Sequence, residues 1–554
     1  VNGQNIDLKR TRKMLLDIVR PDRNFLYVAL VYGLAISLLT LAVPIAVQTL
    51  INTVVNIAST RAITILAGLL FLTLAVSGAL SALRTRVMEL FERRIYARLT
   101  AELSLKTMMA QHSFFEGRRN TTVTQRYFDI MTLQKNIPAL LIDGFALVLQ
   151  MIVGFTLVSF YHSSLFAFNA VLILVIYLIW MVWGRGAQRT AIKLSYAKYD
   201  TAKWLSDMSS AHDFFKSSRH MDYAGKATEG FIADYVDKHK HHFKYTFAQT
   251  IMFLMLYALA SSLLLGLGGW LVVKGELSIG QLVAAELILF AIFFGFSQFS
   301  NYLKLYYELF GAADKIGDAL DMPQESIKED QIKVPNNSEL QANKLQLSHI
   351  DESCMLDFKA EAGSKLFVIT KNSWIQQELV QVLRQHAPVR HGWIRLGGLD
   401  IDDYDVFELR QAVASIDRSL IVECSIKEYL RMAAPDATVA DIKTVLERVR
   451  LDRRIASLEN DIDTTMSSLG SPLLPYEFLL LKLAAAFLSK PQLIVLNQHF
   501  DNLPADLHQH LLGELERFEA TVFYFTHHPI EGVFDTTLSL ENCISQNSEG
   551  NGQA

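Results

Sequence analysis

Two carboxylates fall inside long apolar stretches of the chain, Asp143 and Glu286. An acid surrounded by apolar residues is a candidate for a substrate path, a proton relay or a charge partner. Asp143 stands near the edge of its stretch, where water can reach it. Glu286 lies a few residues inside its own and is followed by Phe290, Phe293, Phe294, Phe296 and Phe299. Glu286, Phe293 and Phe294 are therefore candidates to line a path for an apolar substrate, with helix packing or lipid contact as the alternative use of the rings. His239 and His242 are spaced to share one helix face and hold a metal, but with Lys240 and His241 between them they read as a solvated face. No metal site is expected. Much later, the amides Asn497 and Gln498 follow the apolar run 493–496, and His527 closely follows the run 521–525. No hydrolase triad, haem motif or zinc ribbon appears.

The elements that must carry these residues differ between the two halves of the 554-residue chain. Hydrophobic residues make up 51% and charged residues only 19%, too apolar for a chain that is soluble throughout. Six runs long enough to cross a bilayer lie at 25–47, 63–83, 140–161, 165–183, 247–273 and 282–299. The first 24 residues are charged, so a cleavable leader is not expected. Lys9, Arg10, Arg12, Lys13, Arg20 and Arg23 precede the first run, and their pattern suits a helix on the membrane surface. Long basic segments then alternate with short loops holding at most one Lys or Arg. The positive-inside rule places the long segments and both termini in the cytoplasm. Those segments read as helical continuations of the spans, interrupted at Phe114-Phe115 and at Phe214-Phe215. Each aromatic pair is a candidate turn for touching another cytoplasmic domain.

Beyond residue 320 the pattern changes. The expected organisation is an N-terminal interfacial helix (1–24), a six-span membrane domain (25–320), a polar linker (321–340), an α/β domain (341–545) and a disordered tail (546–554). Short apolar runs alternate with helical patterns in the α/β part, which points to a largely parallel sheet. The net charge of -4 gives no reason to expect a nucleic-acid partner. Three Cys exclude a disulfide framework and are expected to be free thiols: Cys354, Cys424 and Cys543.

Six spans with helical extensions followed by such a domain resemble one half of an ATP-binding-cassette exporter. The landmarks come in order: Gly363 to Ile369 before a phosphate loop, the hairpin His391-Gly392-Trp393-Ile394 to Gly398-Leu399-Asp400, Leu409-Arg410, the segment 488–496, and Phe525-Thr526-His527. The chemistry at those landmarks departs from the family. A phosphate loop needs glycines for backbone donors, a Lys for the outer phosphates and a hydroxyl for magnesium. Here Thr370 and Ile375 stand for the glycines, Gln376 for the Lys and Gln377 for the hydroxyl. Ser373 and Trp374 lie between, and Lys371 is out of register. Asn497 and Gln498 replace the two carboxylates that would hold magnesium and polarise water. The signature segment is Leu473-Leu474-Pro475-Tyr476-Glu477, with no glycine and one backbone donor removed. Asp417-Arg418 stands where a Gln is expected, and His349 where an aromatic ring would stack on adenine. Only the switch-like His527 is retained.

The resemblance thus implies an α-helical polytopic membrane domain joined to an α/β domain of the phosphate-loop type whose nucleotide chemistry has decayed. No cofactor is expected, and ATP with magnesium only if a partner subunit supplies it. Three functions remain open: the catalytically silent half of a transport complex, an ATP-independent scaffold, or a transporter with unusual nucleotide binding. Implied partners are the bilayer and either a second copy or an ATPase-competent half-transporter. A periplasmic adaptor is a further candidate. The compact plan fits a bacterial inner membrane.

Overall fold

The computed structural model describes residues 8–56, 60–116, 120–325, 335–349, 352–370, 372–417, 419–530, 533–534 and 536–540. The chain divides into two compact units, Val1–Gln324 and Glu325–Ala554.

The first unit is helical: α1 (Leu8–Val19), α2 (Arg23–Thr40), α3 (Ala42–Asn56), α4 (Thr60–Met108), α5 (His112–Glu116), α6 (Asn120–Pro138), α7 (Phe145–Ser159), α8 (Ser163–Ser210), α9 (Ser218–Val273) and α10 (Ile279–Leu320). Five stretches of helix among the described residues are long and apolar enough to cross a membrane, and α10 contributes a shorter apolar run, Ile279–Ile292. Along these stretches large apolar side chains face outward, Phe71 and Ile65 among them. That arrangement suits lipid as the solvent. At 1.5 Å per residue the 49 residues of α4 extend about 73 Å. A bilayer core uses roughly 30 Å of that, so a long stem projects beyond it.

Two expected spans are not uniform helices. The run 25–47 breaks at Leu41, because Pro44 lacks an N–H and its ring crowds the carbonyl of Thr40. The run 140–161 begins in a π-helical segment, Ala139–Gly144, directly after Pro138. The same loss of an i→i−4 bond accounts for the widened turn. Asp143 sits in this segment, 3.4 Å from Arg84, so it is ion-paired. Nor is the N-terminal helix a loose tail. Leu15 and Ile18 of α1 are buried, Thr11 donates to Asp314 at 3.0 Å, and Arg10 pairs with Asp318 and Asp321 at the end of α10. Asp22, with a fully covered carboxylate, takes Arg94 at 2.7 Å and Arg98 at 3.0 Å from α4. In the stem, Lys315 is buried beneath Tyr199 and donates to the carbonyl of Ser195 at 2.7 Å. Burial pulls its ammonium down to about 7, against the opposing pull of Asp129.

The described residues of the second unit form three sheets. The antiparallel sheet has the order β2-β1-β4-β5, built from β1 (Leu340–His349), β2 (Glu352–Ala360), β4 (Trp393–Leu396) and β5 (Leu399–Asp400). The parallel sheet has the order β11-β3-β10-β9-β6, built from β3 (Lys365–Ile369), β6 (Val413–Ile416), β9 (Leu493–Leu496), β10 (Thr521–Phe525) and β11 (Thr536–Ser539). A small pair joins β7 (Cys424–Ser425) to β8 (Thr465–Met466). Its helices are α11 (Ser373–Leu383), α12 (Val406–Ala412), α13 (Ile426–Ala433), α14 (Val439–Arg448), α15 (Asp452–Ala456), α16 (Pro475–Ser489) and α17 (Ala505–Glu516). Every residue of β9 and β10 is buried, as a parallel strand covered on both faces requires. The β4–β5 hairpin turns through Gly397 and Gly398, both at positive φ, which suits glycine. One cysteine departs from expectation: Cys354 is disulfide-bonded, while Cys424 is a buried free thiol and Cys543 lies outside the described residues.

Two predictions concern the first unit. Asp22→Ala removes a covered acceptor from two arginines and is expected to cost about 1–3 kcal/mol. The loss reads as a lower thermal midpoint in detergent, while Asp17→Ala, on the exposed side of α1, leaves it unchanged. For Lys315, the folded pKa lies below the unfolded one. Its burial penalty is therefore full below about pH 7 and is relieved as pH rises toward 10. Lys315→Met is expected to flatten that rise in stability.

Candidate functional site

In the parallel sheet β10 lies between β3 and β9, with Phe523 beside Leu366 on one side and Val495 on the other. That register brings three strand ends to one edge: Thr370 after β3, Asn497 after β9, and Thr526-His527 after β10. Ligands of such sheets bind beyond the carboxyl ends of the strands, so this edge is where chemistry is tested.

The β3–α11 turn is short. Helix α11 starts at Ser373, four residues after Ile369. The buried hydroxyl of Thr370 accepts from the Asn372 amide at 3.2 Å, and the Ile375 amide donates to the Asn372 carbonyl at 3.1 Å. Ile375 is buried in the core between the two large sheets, so it supplies packing where a glycine would supply an open backbone. Gln376 is half-buried and Gln377 exposed on α11. Lys371 lies outside the described residues. Trp374 turns away toward β1 and β2. Its ring stacks on His349 at 6.0 Å and 16°, and its indole N–H donates to Glu352 at 2.6 Å. His349 in turn donates to Glu378 of α11 at 3.2 Å. The chain's own tryptophan stands beside the His349 ring, whose side chain stays 42% exposed.

At the β9 end, the side-chain oxygen of Asn497 accepts from the His499 amide at 3.2 Å and starts a single 3-10 turn, Gln498–Asn502. Gln498 is half-buried within that turn. Neither side chain carries a negative charge. The charge nearby belongs to Asp501, which sequence reasoning missed. It accepts from the Tyr524 hydroxyl at 2.6 Å, the Thr526 hydroxyl at 2.9 Å and the His527 amide at 3.1 Å. Burial, then the hydrogen bond and charge of Asp501, push the Tyr524 phenol well above its ordinary range. Burial lowers the His508 imidazole that bonds the same hydroxyl. Thus the backbone of His527 is tied down, while its residue is exposed.

The start of α16 is closed by a carboxylate. Leu473 is buried, Leu474 and Tyr476 are exposed, and Pro475 opens the helix. Buried Glu477 folds back to accept from the Leu474 amide at 2.8 Å and pairs with Arg454 at 3.2 Å. A helix start offers donors to an anion, and here Glu477 already takes one. Further along α16, buried Lys482 donates to the carbonyls of Asp417 at 2.9 Å and Ser419 at 2.6 Å. Its burial lowers its pKa, against the pull of Asp417. The sequence signal was a lone Lys within the apolar stretch 478–487 of α16. Arg418 lies outside the described residues. A cavity of about 510 Å³ is lined by β6 along its length and by Arg384, Arg410, Tyr429 and Lys482.

Of the other candidates, Glu286 is half-buried on α10 beside buried Ala285 and Leu289. Phe293 and Phe294 continue that helix, with side chains outside the described set. Phe114 and Phe115 of α5 pack against the first unit's own core. Phe214, in the 3-10 turn His212–Lys216, is exposed and stacks on His220, with Phe215 edge-on to Trp204. The histidines do not converge: His242 meets Thr190 while His239 stacks on Tyr235, and no metal cluster occurs among the described residues.

Residues 26–297 match the model of the ABC transporter transmembrane region. The membrane unit is an ABC transporter transmembrane region of the exporter type. A solved bacterial Atm1-family ABC exporter with ATP bound shares the fold over 91% of both chains, at TM-score 0.76 and 16% identity. Among curated proteins, the exporter unit is similar to a fatty acid ABC transporter ATP-binding/permease protein of Mycobacterium bovis, 24% identical over 272 residues. That match covers 47% of this chain and 42% of the relative. The ABC multidrug transporter mdr2 of Aspergillus fumigatus is 20% identical over 537 residues, 91% of this chain and 65% of its own length. The chain thus spans about half to two thirds of these relatives. Its membrane unit is that of an integral, multi-pass membrane protein.

Asp501→Ala is expected to cost about 1–3 kcal/mol locally, since it strips a buried phenol and hydroxyl of their acceptor. Hydrogen exchange of a peptide covering 521–528 should accelerate, most at the His527 amide. Unchanged protection would show that the strand end is held by other contacts.

Proposed function

We propose that this exporter-family chain is the catalytically silent half of a transport complex, built on a nucleotide cassette that no longer binds ATP. The observation that carries the reading is the Trp374–His349 stack, held by Glu352 and Glu378. By resemblance, His349 occupies the adenine seat, and the tryptophan follows the phosphate turn. A nucleotide would have to displace an intrachain stack and a charge-assisted hydrogen bond, and then meet a turn with no Lys at the expected place. Asn497 and Gln498 offer magnesium no negative ligand, and Gln498 cannot accept a proton from water. Energy for any transport cycle would come from a partner subunit with an intact cassette. By the basic-segment pattern both termini face the cytoplasm of a bacterial inner membrane, and exposed Phe214 is the apolar element offered at the stem tip.

A second reading is an ATP-independent scaffold, as a homodimer or within a larger envelope complex. The closure of α16 by Glu477 favours it, because a signature segment normally completes the partner's nucleotide site. Pull-down of the full-length chain from native membranes, weighed by native mass spectrometry, separates the two. A second subunit with an intact phosphate loop supports the silent half. A homodimer, or a complex with no ATPase, overturns it in favour of the scaffold.

Loss of nucleotide binding is tested directly. A cassette with a Kd of roughly 10 μM would gain about 2.7 kcal/mol of stability at 1 mM Mg-ATP. The purified chain is expected to gain none and to show no change in tryptophan emission. A saturable thermal shift would sink the pseudo-cassette reading.

A further inference from the structure

We propose that the cavity along β6 is a binding site for a small organic carboxylate. Its volume of about 510 Å³ lies within the range of small-molecule sites. Three cations line it, Arg384, Arg410 and Lys482, and no Asp or Glu does. Two of the three are already matched. Arg410 grips Glu325 with two bonds, at 2.9 and 2.7 Å, and donates a third to the Arg384 carbonyl at 2.9 Å. Lys482 donates to the carbonyls of Asp417 and Ser419 and lies 3.8 Å from the Asp417 carboxylate. Arg384, half-buried at the end of α11, is different. Its Nε is covered and has no hydrogen-bond partner, and no carboxylate among the described residues pairs with its guanidinium. Burial and the neighbouring Arg410 pull that group below its ordinary value, while Asp417 pulls the other way.

The occupant follows from this charge count. A cation held away from bulk water without a partner is costly. One unmatched positive charge calls for one negative charge, and the two oxygens of a carboxylate fit the guanidinium fork. A nucleoside triphosphate would bring several negative charges to one free cation. Nor are Thr370, Asn497, Gln498 and His527 among the lining residues, so the cavity does not draw on the groups at the ends of β3, β9 and β10. Tyr429 of α13 adds a phenol with no hydrogen-bond partner among the described residues. Burial, then Cys424 and Asp417, push it up to about 12, so it keeps its proton at neutral pH and can donate to an anion. Much of the remaining lining is apolar, Ile421, Met432, Ala433 and Ala485 among it. A few convergent polar groups on an apolar wall suit an acid with an apolar body.

The test titrates the full-length chain in detergent with benzoate or with its neutral counterpart benzamide, at constant ionic strength and in buffer free of other carboxylates. The thermal midpoint is followed. Benzoate is expected to raise it saturably, and benzamide to leave it unchanged. Arg384→Gln is expected to weaken benzoate about ten- to a hundred-fold, the loss of a charge-assisted contact. Tyr429→Phe, which keeps the ring, should weaken it about ten-fold. Arg431→Gln, exposed on the same helix as Tyr429 and outside the lining, should match wild type. Equal shifts with benzoate and benzamide, no shift with benzoate, or wild-type affinity in both lining variants overturns the inference. If Arg384→Gln does not fold, unchanged affinity in Tyr429→Phe is decisive alone. Benzoate bound by the isolated chain but excluded from the complex drawn from native membranes would make the cavity a seat for a protein segment, which overturns it as well. Mg-ATP is absent throughout, so the outcome is separate from that of the nucleotide titration.

Discussion

The lateral pairing of β3, β10 and β9 decides what this chain's α/β unit can do. The three parallel strands hydrogen-bond in one register, and β9 and β10 are buried throughout. Their ends must then lie side by side, and whatever follows each strand shares one edge. In this chain the neighbours are a threonine, an asparagine and a histidine, with Asp501 reaching across to hold the last strand end. The polar groups at this edge are satisfied within the chain.

That internal satisfaction recurs. Thr370 closes its own turn, Asn497 caps its own 3-10 segment, Glu477 covers the start of α16, and Trp374 lies on His349. Each bonds within the chain. Buried polar groups cost free energy unless paired. A site without a ligand is most stable when its own side chains supply the partners. Function and stability pull apart here, and the arrangement favours stability.

The membrane unit obeys a different solvent. Its long helices keep backbone bonds internal and turn apolar residues outward, while Glu286 is a half-buried acid within an apolar run. The pairs are few and specific: Asp143 with Arg84, Asp22 with Arg94 and Arg98, and Arg10 with the end of α10. These contacts seat α1 and thereby choose which of its basic residues face outward.

Helical spans and the alternation of the second unit were legible directly, because bilayer thickness and strand burial impose run lengths that composition alone reveals. The absence of phosphate-binding residue types was equally plain, since a glutamine cannot replace a lysine in any fold. The sequence by itself therefore determined the membrane class and the α/β class. Only tertiary structure decided the breaks at Leu41 and 139–144, the ion pair of Asp143, the bonded state of Cys354, and the roles of Asp501, Lys482 and Trp374. Those depend on contacts between residues tens to hundreds of positions apart, and local pattern carries no record of which distant group arrives.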